Sequence, residues 1–265
     1  MSLQKSEALM IAAAVAIGLA GLMSPNWLVF TTTLAVSKAL VVLGVVMLMR
    51  AGLVEQAHEG RAYHLGEEAY LLGLLAQGRH GLLSQSMDSL QRLARETGDA
   101  AFVSVRRGLY AVCLHREDGA HPIRTYALMP GAHHPLGVGA GSLAMLAALP
   151  GDEAQAVIAA NRAELQSNYP RLQPDTLRSQ LEQTRETGLA LNPGLIFEDS
   201  WGLGVALHGP DGQLMGALSL AAVESRMKEP RRSELARKLR NEARIIETRL
   251  AGGTAHDRFK EGTPK

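Results

Sequence analysis

Between residues 8 and 49 the chain carries one charged side chain, Lys38. An apolar stretch of that length has to be buried, in protein or in lipid, and this limits the possible folds more than any other feature. Residues 8–23 are apolar without interruption. Ser24-Pro25-Asn26 breaks the run and Trp27 follows. A second apolar run spans residues 34–49 and ends at Arg50. A bilayer span needs about 20 apolar residues, with about 17 the lower limit. Each run is slightly short, but extending the first into residues 27–30 and the second into residues 51–54 brings both into range. Neither shows a polar face, which argues against a helix lying in the membrane surface. No small-residue cleavage site follows the first run, so a signal peptide fits poorly. Lys5 precedes the first run, and Arg50 and Arg61 follow the second. That distribution puts both ends on the cytoplasmic side. The expectation for residues 1–54 is an apolar helical hairpin that sits in a membrane, with a buried helical pair as the alternative.

The rest of the chain is rich in charge. Its 265 residues suffice for one large domain, or one domain plus an appendage. A net charge of +1 supplies no global basic field for nucleic acid. Aromatics at 4% disfavour a stacking platform for single strands. The single cysteine, Cys113, excludes an internal disulfide framework and fits a reducing compartment.

Residues 55–98 read as a joint. A turn and strand-like piece covers residues 50–66, and helices follow over residues 67–77 and 81–97. In the second helix Leu82, Leu83, Met87, Leu90, Leu93 and Ala94 recur at helical spacing. Ser84 or Ser86 is the expected cap, and Gly98 the stop. Residues 101–105 and 109–114 are strand-like around the turn Arg106-Arg107-Gly108. Helices are expected over residues 152–161 and 176–187, the latter opened by Pro174-Asp175 and closed by Gly188. Residues 189–192 look like an edge strand. Residues 203–208 and 214–222 flank Gly209-Pro210-Asp211-Gly212, a hairpin turn. A last helix runs from about residue 230 to Gly252-Gly253, with a disordered tail over residues 253–265. Hairpins alternating with helices predict an α+β domain over residues 60–252, an antiparallel sheet with helices on its faces.

Residues 124–149 carry the strongest local hint of a site. A strand-like run over residues 124–128 turns at Pro130-Gly131. The chain then passes through Gly137-Val138-Gly139-Ala140-Gly141 into Ser142 and a helical run. Glycines let backbone approach a ligand closely. A helix start offers unpaired N–H groups and a positive dipole end, which suits a carboxylate or phosphate. Leu128 and Val138 are placed to cover an apolar remainder.

Two resemblances follow from the motifs. Ser24-Pro25-Asn26-Trp27 and the string over residues 39–53 resemble the N-terminus of permease subunits of branched-chain amino acid ABC transporters. Those permeases have many further spans, and one hairpin cannot enclose a transport path. The second resemblance covers about residues 60–250. Tyr63-His64-Leu65-Gly66, Thr97-Gly98, Val112-Cys113-Leu114, Arg124, Gly131, Pro135-Leu136, Gly139-Ala140-Gly141 and Leu143-Ala144 fall in order. Gly188-Leu189-Ala190, Asn192, Gly204-Val205-Ala206 and Gly216-Ala217-Leu218-Ser219 continue the series. This is similar to the effector-binding domain of the IclR family of bacterial transcription regulators. The resemblance implies a GAF-like fold, no cofactor, no enzymatic turnover, and a homodimer or tetramer. It implies a small organic acid effector held at Gly139, Ala140 and Gly141, at Gly202 and Gly204, and at Ser219 and Ala221, with Leu128 covering it. It also implies a winged helix-turn-helix before the domain. Val36-Ser37-Lys38 and Arg50-Ala51-Gly52-Leu53-Val54 echo its recognition helix and wing. Between them sits LVVLGVVMLM, where a DNA reader needs polar and basic side chains. The expected output is therefore either effector-modulated DNA binding or, with DNA binding lost, sensing by an effector domain tethered to the inner membrane or fused to a transporter-associated segment.

Other constellations carry less. Gly137-x-Gly139-x-Gly141 lacks the spacing of a dinucleotide fingerprint. His133-His134, with His115 and His121, lack zinc-site spacing, and adjacent histidines diverge. Ser142 and Ser219 have no base partner at motif spacing. Cys113 reads as a core residue of an apolar strand. Glu198-Asp199-Ser200-Trp201 reads as a solvated turn or as the border of a pocket mouth.

Overall fold

The computed structural model describes residues 11–13, 15–16, 26–57, 60–77, 81–123 and 128–260. Two compact units result, residues 1–79 and 80–265.

In the first unit, residues 11–13 and 15–16 are helical. The break at Ser24-Pro25 lies outside the described residues. Helix α1, Asn26–Arg50, contains the whole second apolar run. Residues 26–30 therefore open α1 and do not extend the first run. Residues 51–54 do not lengthen the second run either: the chain turns at Ala51-Gly52, where Gly52 takes φ +69°. Two short strands follow, β1 (Val54–Gln56) and β2 (Tyr63–Leu65). They pair antiparallel in the register Val54↔Leu65 and Gln56↔Tyr63. Gly66 has to be glycine, because a Cβ there would collide with the Gly52 carbonyl. Helix α2 spans Glu67–Gln77, with Glu67 and Glu68 in its first turn, where the helix dipole favours acidic side chains.

The second unit is an α+β domain. It opens with α3 (Leu82–Thr97), β3 (Ala100–Arg107), β4 (Tyr110–Glu117) and β5 (His133–Pro135). Four helices follow: α4 (Ala140–Ala147), α5 (Gly151–Ala160), α6 (Arg162–Asn168) and α7 (Pro174–Thr187). It closes with β6 (Ala190–Pro193), β7 (Ser200–His208), β8 (Leu214–Val223), a single 3-10 turn at Glu224–Arg226, and α8 (Arg231–Lys260). The six strands form one antiparallel sheet in the order β5-β4-β3-β8-β7-β6.

The period-2 pattern of the central strands sorts the two faces. Leu203, Val205 and Leu207 on β7 and Leu218, Leu220 and Ala222 on β8 bury one face against α3 and α8. Leu82, Leu90, Leu93 and Ala94 on α3 meet Leu235, Leu239 and Ile246 on α8 there. Ala217 belongs instead to the opposite core, under α4 and α7, with Leu143, Leu146, Leu177 and Leu181. A buried polar clamp closes the end of the domain. The Asp99 carboxylate accepts from Arg226 Nε at 2.7 Å and Arg231 Nη2 at 2.8 Å. Both guanidiniums also donate to the Thr97 carbonyl.

Several expectations need correction. Helix α3 has no side-chain cap; it starts after Gly81, and Ser86 is a buried interior residue whose hydroxyl donates to the Leu82 carbonyl. Gly252-Gly253 does not stop the last helix, which continues to Lys260. Each glycine costs a helix only about 1 kcal/mol relative to alanine, which a helix already anchored at Ile246 and Leu250 tolerates. Residues 261–265 lie outside the described residues. So do residues 124–127 of the expected strand, and Leu128 belongs to no regular element.

Candidate ligand-binding site

The pocket arises where the sheet is built from small residues. Phe102, Ser219 and Gly204 stand in one cross-strand row, and Ala100, Ala221, Gly202 and Asn192 stand in the next. Within these rows glycine, alanine and serine leave a hollow that Phe102 and Asn192 border. The N-terminal turn of α4 covers it. Gly204 permits this approach: a Cβ there would lie 2.4 Å from the carbonyl carbon and oxygen of Ala140. A Cβ on Gly202 would lie 3.3 Å from that of Ala140.

The resulting cavity encloses about 600 Å³ of non-protein space, counting its open mouth. Leu128, Gly139, Ala140, Gly141, Gly202, Ser219 and Ala221 all line it. Gly204 does not line the cavity; it lies beneath the α4 backbone and sets the depth of the helix. Phe102, Ser104, Cys113, His134, Asn192 and Ile196 are lining residues that the sequence did not single out as site residues. Ser200 and Trp201 also line it, so one end of the segment 198–201 does reach the pocket.

The loop before α4 is held by its own hydrogen bonds. Gly137 N–H donates to Ser142 Oγ at 2.9 Å, and Ser142 Oγ donates to the Pro135 carbonyl. Val138 N–H donates to the Pro135 carbonyl. Ser142 is therefore a brace, already inside the helix, and not a free donor. The first intrahelical bond is Leu143 N–H to the Gly139 carbonyl. Among the described residues the N–H groups of Gly139, Ala140, Gly141 and Ser142 donate to no protein acceptor. They are the orphan donors of a helix start, with its positive dipole end. Gly139 takes φ +82°, a conformation that favours glycine. The Ser219 and Ser200 hydroxyls and the Asn192 amide nitrogen also have no protein partner among the described residues. Asn192 Oδ1 is engaged by Leu195 N–H.

Among the described residues the lining contains no lysine, arginine, aspartate or glutamate. Burial pushes the Cys113 thiol up to about 11, so it lines the wall as a neutral group. His134 Nδ1 is 2.9 Å from the Tyr169 hydroxyl, and burial raises the Tyr169 pKa. His133 turns away to meet the Tyr110 ring edge-on. The two histidines thus diverge, and among the described residues no group of three or more metal-ligating side chains forms. Chemically, the cavity offers neutral donors at one end and apolar walls elsewhere.

Comparison with known proteins assigns this architecture. The sequence model of the family described as "Bacterial transcriptional regulator IclR C-terminal" matches residues 75–248, well over half of the chain. The chain belongs to the IclR family. It is 26% identical over 223 residues to the HTH-type transcriptional regulator ArcR of Halobacterium salinarum, covering 83% of this chain and 84% of that protein. It is 26% identical over 212 residues to the HTH-type transcriptional repressor AllR of Escherichia coli, covering 79% of this chain and 77% of that protein. Residues 80–265 alone cannot supply 223 aligned positions, so the likeness to ArcR reaches into the N-terminal unit. A solved chain from Silicibacter sp. TM1040, assigned to the IclR transcriptional regulators, superposes with a TM-score of 0.73 at 26% identity, covering 89% of this chain and 96% of that one. The Thermotoga maritima IclR structure shares the fold, with a TM-score of 0.63 at 21% identity and coverage of 91% and 98%. IclR proteins are transcriptional regulators and not enzymes.

Proposed function

We propose that this IclR protein senses a small organic acid in the cavity under α4, and that occupancy biases a homodimer or tetramer toward or away from DNA. The observation that carries the reading is that Gly139, Ala140 and Gly141, whose backbone N–H groups have no protein acceptor among the described residues, line one largely apolar cavity together with Ser219. A carboxylate there accepts several hydrogen bonds at a positive helix end. Leu128, Phe102 and Ile196 cover its apolar part. The names of ArcR and AllR, both of the helix-turn-helix type, support a DNA-directed output. The strand pair β1–β2 after α1 is the wing in this reading.

A thermal-shift screen of small carboxylates tests it. A ligand at a hundred times its Kd adds about 2.7 kcal/mol of stability, or roughly 5–10 °C for a domain of this size. Gly141→Ala places a methyl group 3.0 Å from Ser219 Oγ. That variant should fold and lose the shift. If no carboxylate stabilises the parent, or Gly141→Ala responds as the parent does, the sensor reading fails.

One observation favours a second output. Residues Val29–Arg50 of α1 form a helix of 22 residues, apolar enough to cross a membrane, with no stretch of it buried in protein beyond partly covered positions. At 1.5 Å per residue it is about 33 Å long, close to the thickness of a bilayer core. In this reading residues 8–54 tether the effector domain to the inner membrane. Lys38, near the middle of the helix, is the cost, since a lysine at mid-bilayer is unfavourable by roughly 2.5–3.5 kcal/mol on insertion scales. Alkaline extraction of membranes separates the two outputs. Retention in the pellet supports the tether. Release, with salt-dependent retardation of operator-length DNA, supports the DNA reader.

A further inference from the structure

Helices α5, α6 and α7 enclose a second hollow, which shares no lining residue with the cavity under α4. It holds about 840 Å³ of non-protein space, counting its open mouth. Leu165, Leu172 and Leu177 form the floor and are already buried. The exposed side chains of Arg162 and Arg178 stand on the rim with two glutamines. Among the described residues no lining residue carries a carboxylate. Arg178 Nη1 donates to Asp175, an almost fully exposed carboxylate, at 3.0 Å. An exposed pair of that kind contributes little and exchanges readily. Arg162 has no side-chain partner among the described residues.

A surface that docks another protein usually presents large apolar side chains to solvent. None of the lining residues here is an exposed large hydrophobe. The hollow is instead a trough, with an aliphatic bottom and a cationic rim. We propose that it is a second small-molecule site, for an amphipathic carboxylate whose chain lies against Ile158, Ala159 and Pro174 above the buried leucines and whose charged end meets Arg162 and Arg178. Guanidiniums suit this role because they bind carboxylates in bidentate fashion. The site does not depend on the sensing role of the other cavity.

Decanoate, titrated calorimetrically into the full chain, is the probe, with decanol as its uncharged counterpart. Decanoate should bind, and decanol should bind at least about tenfold more weakly. Arg162→Ala/Arg178→Ala should weaken decanoate by at least about tenfold, the scale expected for losing charge-assisted hydrogen bonds. Ala159→Trp, which fills the trough from its edge, should do the same while circular dichroism stays unchanged. Gly141→Ala should leave decanoate binding intact. Helix α1 is identical in all these proteins, so decanoate held on its apolar surface cancels in the comparison. Equal affinity in the arginine double variant overturns the proposal. So does equal binding of decanol, or loss of binding in Gly141→Ala alone.

Discussion

Gly204 stands on β7 directly beneath the first turn of α4, and replacing it by alanine probes how the cavity is held open. The added Cβ would lie 2.4 Å from the carbonyl carbon and oxygen of Ala140 and 2.7 Å from Gly141 N. Ordinary contact begins near 3.4 Å, so backbone has to separate by about 1 Å. Overpacking of this kind costs typically about 1–3 kcal/mol. For a domain of this size each kcal/mol is worth roughly 2–4 °C, so the melting temperature should fall by about 2–12 °C. The strain has one route of relief, which is to lift the α4 N-terminus off the sheet. That movement displaces the N–H groups of Gly139 to Ser142 from the Ser219 hydroxyl. The variant should therefore lose carboxylate-induced stabilisation even where it remains folded. Gly202→Ala is the control, since its Cβ would meet Ala140 Cβ and the Leu220 carbonyl at 3.3 Å, a contact relieved by a few tenths of an ångström. It should melt within about 1 kcal/mol of the parent while narrowing the cavity. Differential scanning calorimetry with and without carboxylate reads both effects. An unchanged melting temperature and an unchanged ligand shift in Gly204→Ala would refute the idea that this glycine sets the depth of the helix.

Three further outcomes are expected. Asp99→Ala leaves Arg226 and Arg231 without their shared carboxylate at the junction of α3, β3 and α8; because both guanidiniums are about a quarter exposed, solvent recovers part of the loss, and denaturant titration should show about 2–3 kcal/mol of destabilisation. Cys113 gives a pH signature. Burial pushes the thiol from 9.0 up to about 11, so its stabilising effect is complete below pH 9 and disappears as pH rises toward 11. The stability advantage of the parent over Cys113→Ala should therefore shrink by about 3 kcal/mol across that window, as denaturation at stepped pH would show. Gly141→Ala, without ligand, should melt within about 1 kcal/mol of the parent, because the gain in helix propensity of up to about 1 kcal/mol offsets the tight contact of its Cβ with Ser219.

Much of the fold was legible because local chemistry dictates it. Gly98 closes α3 at φ +73° and Gly188 closes α7 at φ +66°, at the stops the sequence suggested and in the left-handed conformation that suits glycine. Pro174 opens α7. Gly209-Pro210-Asp211-Gly212 joins β7 to β8, with Gly212 N–H donating to the Gly209 carbonyl. The apolar spacing of α3 named the face that meets the core. What failed was decided by partners distant in sequence. Ser86 looks like a cap, but the α3 face that carries it is buried in the domain. Gly252-Gly253 looks like a stop, yet the helix ahead of it is anchored well enough to continue.

The site shows the same division in a sharper form. The loop at Gly139 was visible because glycine, a helix start and an apolar run lie side by side in the chain. Cys113 was read as core, and it is buried, but it also forms a wall of the cavity. Nothing within β4 distinguishes those two fates. The difference is made on β7 and β8, where Ser219, Gly202 and Ala221 are too small to fill the space that opens before Cys113. A cavity is a deficit of side-chain volume summed over several strands, and a strand read alone cannot report it. The register supplies the missing term: Phe102↔Ser219↔Gly204 and Asn192↔Gly202↔Ala221 each set a large residue beside small ones. Exchanging sizes within a row, as in Gly202→Leu with Asn192→Gly, would conserve the composition of the lining approximately while moving the hollow. If the ligand response depends on where the deficit falls, that double variant should lose it while keeping the fold. If the response depends only on which residues line the cavity, the variant should keep it.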